Sequence, residues 1–370
     1  MDENKRNVKA IKLRGEKSDG IYLPLTCLET FMDISTLKVG DTIGEPYVRK
    51  YIPRGTKTAQ GPREGNRTRK HKVPIAPLFA EHADTEQLAY HLNEFKPGDQ
   101  IEITLKMHGT SFRVAHLPVL QGYKRSFWNW LFRRKGTPIY DWDYISGTRR
   151  CVLSSFDGGF YGNNEFRKPV EDFFRGKLLE NEEIFGEIVG YINKDTPIMP
   201  SASNKKINDK NFIKQYGENT IFSYGCGPGN CDFYVYRMIY ITNEGNIIEY
   251  PPYLVRYRCE QMGAKYVPLL WQGYIPEVLP RVINFMTNEE HQMTAGEYIK
   301  NIAEKYYDGP DPIGKTHVRE GVVIRIVNRP KFCAYKHKNF SFKVLSGLAA
   351  DLAAESGATD TMDEDRLAEL

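Results

Sequence analysis

No apolar run in the 370 residues approaches the roughly 20 consecutive positions that a helix needs to span a bilayer. The opening residues, MDENKRNVKAIKLRG, are polar and hold neither an apolar core nor a small-residue cleavage site. A cytoplasmic protein with no membrane partner is expected. Cysteine is sparse: six residues, Cys27, Cys151, Cys226, Cys231, Cys259 and Cys333, are scattered along the chain. That excludes a disulfide scaffold and suits a reducing compartment. Only Cys226 and Cys231, in CGPGNC, lie close together, and their spacing matches no standard zinc ribbon or finger. There is no internal repeat and no low-complexity array. With 41% hydrophobic and 26% charged positions the chain reads as a globular protein of two or three domains.

A formal net charge of +4 hides opposed segments. From Arg49 to Lys72 there are nine Lys or Arg against Glu64 alone, a stretch suited to a polyanion. From Asp351 to Leu370 there are seven acids against Arg366 in an Ala-rich tail, expected to be a frayed helix or disordered. Residues 8–52 alternate short apolar runs with turn signals such as Asp19-Gly20 and Gly40-Asp41, which predicts a small antiparallel β unit resembling an OB barrel. A boundary near Lys72 gives three parts: an OB-like β domain with a basic loop over 1–72, a larger domain over 73–347, and the acidic tail over 348–370.

Within the larger domain, TEQLAYHLNEF carries helical spacing and ends at Lys96-Pro97-Gly98-Asp99, before a strand predicted over Gln100–Met107. Strands are also expected in RRCVLSSF, EEIFGEIVGYI, DFYVYRMIYI, NIIEYPPYLV, VVIRIV and KFCAYKH, with a late helix over 295–307. The fold class is therefore α+β, dominated by antiparallel sheet. The stretch Gly309 to Thr316, GPDPIGKT, fits the phosphate-loop pattern G-x-x-x-x-G-K-[ST]. Its context is wrong, since it follows a predicted helix and precedes a strand. Pro310 and Pro312 also remove two N–H groups that would otherwise face phosphate.

The chemistry concentrates in IEITLKMHGTSFR. Lys106 ends a strand and is followed by His108-Gly109-Thr110, a turn that can bring backbone close to a ligand. A lysine nucleophile must be neutral, and neighbouring cations favour that form. In AYKHK the two-residue period puts Lys336 and Lys338 on one face, where they could lower such a pKa or hold phosphate. Glu187 in FGEIVGY and Glu320 in REGVVIRIV are carboxylates in apolar strands, which are costly to bury without a partner or metal. Phe233 in DFYVYRM is a candidate platform for a purine, with Tyr236 as its competitor. Taken alone, each of these has a plain alternative: a solvated strand-end lysine, a surface ion pair, a core phenylalanine.

Together, Lys106-Met-His-Gly-Thr, SGTRR around Arg149, FGEIVG, DFYVYRM, EGVVIR and YKHK follow the order of nucleotidyl transferase motifs I, Ia, III, IIIa, IV and V. The chain resembles an ATP-dependent polynucleotide ligase. His108 stands where small nick-sealing RNA ligases carry His, whereas most DNA ligases and capping enzymes carry Asp. KLRG, DGIYLPL and VGD before the core resemble RNA ligases with an N-terminal OB domain. The resemblance implies a nucleotidyltransferase (adenylation) domain that uses ATP with Mg2+ or Mn2+ and acts as a monomer on RNA or an RNA-containing nicked duplex. Lys106 would form lysyl-AMP, Lys336 and Lys338 would hold phosphate, and Glu320 and Glu187 would organise metal or ribose. Arg149 would contact nucleotide or the 5′ end, Phe233 would stack on adenine, and the Thr104 and Leu105 backbone would face the base edge, with His108 and Gly109 nearby. No metal ligands are assigned.

Two features depart from the pattern. Ser111 replaces the Arg of DNA ligases or the Asn of many RNA ligases, and the insert 123–144 holds three of the four tryptophans among basic residues. The alternatives are an mRNA capping guanylyltransferase and a nucleic-acid-binding protein with a degenerate ligase core.

Overall fold

The computed structural model describes residues 74–124, 136–153, 155–156, 164–283 and 290–346, with short pieces between 11 and 38. The chain divides into two units, 1–68 with 350–370, and 69–349. In the first, the described residues contribute one hairpin, Ile11–Leu13 against Glu16–Ser18. Most of the expected β-barrel, the basic stretch after Arg49, the central part of the Trp-rich insert (125–135) and the acidic tail lie outside the described residues.

The second unit is α+β, mostly sheet with few helices. Its strands of five or more residues are β1 (Gln100–Leu105), β2 (Thr110–Lys124), β3 (Thr137–Gly147), β4 (Glu182–Gly190), β5 (Cys231–Ile241), β6 (Leu269–Tyr274), β7 (Gly321–Ile326) and β8 (Ala334–Lys338). One sheet runs Ile247–Glu249, β5, β4, β2, β3, Val152–Leu153, with Lys265–Tyr266 added to β5. The other runs β6, β1, β7, β8, Glu86–Gln87. All pairings among the longer strands are antiparallel.

Strand alternation sets up the smaller sheet. Ile101 and Ile103 of β1 and Val322 and Ile324 of β7 share one buried face. They pack against Ile299, Ile302 and Ala303 of the helix Ala295–Tyr306, the helix expected there. A capping box, Thr294 with Glu297, fixes its start. The period of two turns Glu102, Thr104, Val323, Arg325, Lys336 and Lys338 to the other face. In the larger sheet Phe112, Val114, Ile184, Ile188, Val235 and Met238 face a core closed by Phe166, Val170 and Phe174.

Two local expectations are corrected. TEQLAYHLNEF is not an α-helix: Glu86–Gln87 pairs in parallel with β8, and two 3-10 turns follow at Leu88–Tyr90 and Leu92–Glu94. The strand expected through NIIEYPPYLV stops at Glu249, and the helix Pro252–Met262 begins. Proline suits a first helical turn, where its missing N–H would be unbonded anyway. Among the described residues no helix is long and apolar enough to cross a membrane.

Candidate active site

β1 delivers Lys106 one residue beyond its end. The Lys106 N–H donates to the Gly321 carbonyl (3.0 Å), and the Asn339 N–H donates to the Glu320 carbonyl (2.8 Å). These two bonds fix the backbones of Lys106 and Glu320 across the sheet. Gly321 lies at φ +147, and a Cβ there would overlap the His337 carbonyl oxygen, so the glycine after Glu320 is a steric requirement. A Cβ on Gly109 would overlap the Ile188 carbonyl oxygen and crowd the Glu187 side chain. The turn after Lys106 therefore passes directly over the strand that carries Glu187.

Glu320 is the hub. Its side chain is 2% exposed, and its Oε1 lies 2.7 Å from Lys106 Nζ and 3.4 Å from Lys338 Nζ. His108 Nδ1 is 3.8 Å from Oε2, beyond hydrogen-bond reach. Burial pushes the carboxyl pKa up, but Lys106, Lys338 and His108 outweigh that and hold it below the usual carboxylate range. His108 is pulled down to about 3, first by burial and then by Lys106 and Lys338, against the attraction of Glu320. It is a neutral ring, seated edge-on to Phe222 (4.7 Å) and Phe342 (4.8 Å). Lys336 shares the Lys338 side of β8, opposite Val323.

A second group sits on the larger sheet. Ser111 pairs with Glu187 across β2 and β4, and Tyr234 pairs with Glu187 across β5. Tyr236 Oη is 3.4 Å from Ser111 Oγ and 2.8 Å from His82 Nε2. Burial and then Glu187 raise the Tyr236 phenol above its ordinary value. Arg149 acts on Tyr236 electrostatically, and its Nη2 lies 2.6 Å from Asp84 Oδ1. Arg149, Tyr236, Ser111 and Glu187 thus form one neighbourhood.

Phe233 is placed differently. It pairs with Ile188, so alternation sends its side chain to the face opposite Glu187, over Gly186 and edge-on to Phe112 and Phe174. The Leu105 N–H is committed to the Pro268 carbonyl (2.9 Å), and Thr104 is buried opposite Val323.

Three residues that sequence reasoning missed support the site. Arg167, buried, donates to Thr110 Oγ1 (2.6 Å) and to the Ser111 carbonyl (2.9 Å). The Tyr224 hydroxyl accepts the His108 N–H at 2.7 Å. Asp311, wholly buried, accepts the N–H groups of Ile313, Gly314 and Thr316. The donors of the phosphate-loop pattern therefore point at the chain's own carboxylate, and the stretch is no nucleotide cradle. Among the described residues no three His, Cys, Asp or Glu side chains come together as a metal cage, and Cys226 Sγ instead lies 3.7 Å from Asp232 Oδ2.

The family model for RNA ligase matches residues 99–345, most of the chain. No curated protein matches. Among solved structures, the chain is similar to a variant Naegleria gruberi RNA ligase at 18% identity, covering 92% of this chain and 76% of that one, with a TM-score of 0.45. Variants of the same ligase with AMP and Mn (17%; 90% and 75% covered; TM-score 0.45) and with ATP and Mn (18%; 90% and 75%; 0.44) are similar too.

Proposed function

The chain belongs to the RNA ligase family, as an enzyme that ligates RNA, and from that premise we propose that it joins 3′-hydroxyl and 5′-phosphate ends at nicks in duplexes through lysyl-AMP on Lys106. The observation that carries this is the Lys106 amine held 2.7 Å from a buried carboxylate with a second lysine beside it.

The Lys106 amine attacks the α-phosphorus of ATP. A P–N bond forms, the bond to the bridging oxygen breaks, and pyrophosphate leaves. The nucleophile is the neutral amine, so a proton leaves the partly exposed Nζ to solvent before attack, while ionised Glu320 holds the amine in place. A 5′-phosphate oxygen then displaces Lys106 from the AMP phosphorus and regenerates the amine. Finally the 3′-hydroxyl attacks the 5′-phosphorus, expelling AMP and losing its proton. Such transfers need placement and charge compensation more than covalent help from the protein. Lys338 and Lys336, on one side of β8, supply fixed positive charge for phosphate oxygens. Tyr236, beside Ser111 and Glu187, takes the base-stacking role on this face, since Phe233 packs on the other face against Phe112 and Phe174.

A divalent ion fits this donor set in one manner. With no three-ligand cage among the described residues, Glu187 would hold it together with phosphate oxygens and water, as magnesium prefers, to neutralise phosphate charge. The duplex preference, like the role of the N-terminal unit in gripping RNA, rests on the sequence resemblance.

The test is incubation with α-labelled ATP or GTP and magnesium, followed by denaturing electrophoresis, beside Lys106→Ala. Label from ATP that is absent in the variant is expected, with sealing of a nicked RNA duplex exceeding joining of single strands. Label from GTP alone would mean capping chemistry, and no label from either would leave an RNA-binding protein.

A further inference from the structure

We propose that Tyr224 is a positioning residue for Lys106, acting through the His108 backbone, and that the 309–316 loop is the brace that holds Tyr224 in place. The inference rests on the lysyl-AMP reading above.

The Tyr224 side chain is buried, and its hydroxyl is the acceptor for the His108 N–H, two residues beyond the nucleophile. The bond lies in a part-buried turn, where an N–H turned toward the protein interior needs an acceptor. No other residue type of this length offers an apolar ring to the core and an oxygen at its tip. The tyrosine stands at φ +51, in the left-handed region that non-glycine residues rarely occupy. Such a backbone persists only where its surroundings over-determine it.

The surroundings are the loop. Gly314 lies against the Tyr224–Gly225 peptide so closely that a Cβ at 314 would overlap the Gly225 nitrogen. Gly314 is fixed there because its N–H and those of Ile313 and Thr316 all end on Asp311, whose own N–H donates to the His317 carbonyl (2.8 Å). The His317 ring is wholly buried and meets the Tyr224 ring edge-on at 4.5 Å. Two residues on, Arg319 ties its side chain to the Pro310 and Tyr306 carbonyls, and the next residue is Glu320. One loop thus sets the position of Glu320 through the chain and that of Lys106 through Tyr224. The two partners of the 2.7 Å ion pair are held from the same brace.

The experiment measures single-turnover transfer of label from α-labelled ATP to the full chain across ATP concentrations, with thermal melting confirming folding. Tyr224→Phe keeps the ring and removes the acceptor. Its maximal labelling rate should fall about tenfold to a hundredfold, the scale of a small misplacement of reacting groups, with the KM for ATP within about threefold. Asp311→Asn should give the same split, and the double variant should be no slower than the slower single, because both act through one path. Lys315→Ala, which leaves the loop's backbone bonds in place and removes only an exposed side chain, should match the wild type. A wild-type rate in Tyr224→Phe, or a raised KM with rate unchanged, overturns the proposal. So do multiplicative losses in the double variant, or reduced labelling in Lys315→Ala, which would mean that the loop binds phosphate. Failure of the wild type to label would instead sink the lysyl-AMP reading on which the proposal stands.

Discussion

Lys106 Nζ and Glu320 Oε1 stand 2.7 Å apart, with the lysine 21% exposed and the glutamate 2% exposed. The pair is therefore asymmetric: one partner can reach a substrate and the other cannot leave. Removing one partner of a buried pair costs about 3–5 kcal/mol, because the remaining charge is left uncompensated. Lys338, 3.4 Å from the same oxygen, moderates that cost for Lys106→Ala but not for Glu320→Ala. Urea unfolding should find Glu320→Ala less stable than Lys106→Ala, and neither variant should accept label. Equal stabilities would show that Glu320 is not the hub.

Lys338→Ala should retain the Lys106–Glu320 pair yet lose roughly 100- to 1,000-fold in labelling, the scale for removing one fixed electrostatic contact to a developing charge. Single-turnover rates at saturating ATP would decide it. A loss confined to KM would assign Lys338 to ground-state binding alone.

Tyr236 and Phe233 separate cleanly. Base stacking is worth about 1–3 kcal/mol, so Tyr236→Leu should raise the KM for ATP about tenfold. Phe233→Leu should leave KM unchanged and lower stability by roughly 1 kcal/mol, the cost of a smaller side chain against Phe112 and Phe174. The reverse pattern would return the adenine platform to Phe233.

Glu183 predicts a pH dependence. It is wholly buried, 3.6 Å from Arg113 Nη1, and accepts the Ala80 N–H at 2.9 Å. Burial pushes its pKa up to about 8 from 4.5, against the pull of Arg113, the Ala80 N–H and Arg237. The folded protein then binds this proton more tightly than the unfolded chain. The stability due to Glu183 is full below the unfolded value of 4.5 and falls as pH rises through about 8. Urea midpoints of the wild type relative to Glu183→Gln should therefore decline between pH 5 and 8. A flat difference would mean that Arg113 keeps the carboxylate ionised.

Gly109→Ala and Gly321→Ala should each abolish labelling and lower stability by about 2 kcal/mol or more, because a Cβ meets backbone at both positions and Gly321 also holds a positive φ. Activity in either variant would mean that the turn can move away from its neighbouring strand.

Much of this arrangement was legible because its chemistry is local. The strand period alone puts Lys336 and Lys338 on one side of β8, and an acid in EGVVIR has few comfortable fates but a buried pair. Tyr224 was not legible, since its partner His108 is 116 positions away and nothing in FSYGC marks the hydroxyl. The side chosen by Phe233 depends on its register against Ile188, which no single strand encodes. TEQLAYHLNEF misled for a related reason: β8 offers Glu86–Gln87 a backbone partner, and a short segment's helical spacing cannot outweigh ladder bonds it does not see.

The Asp311 carboxylate amounts to a tethered anion. Any free phosphate seeking the N–H groups of Ile313, Gly314 and Thr316 competes with an anion already attached to the chain and seated on those donors. By occupying the decoy from within, the protein keeps that loop from taking up a phosphate of its own.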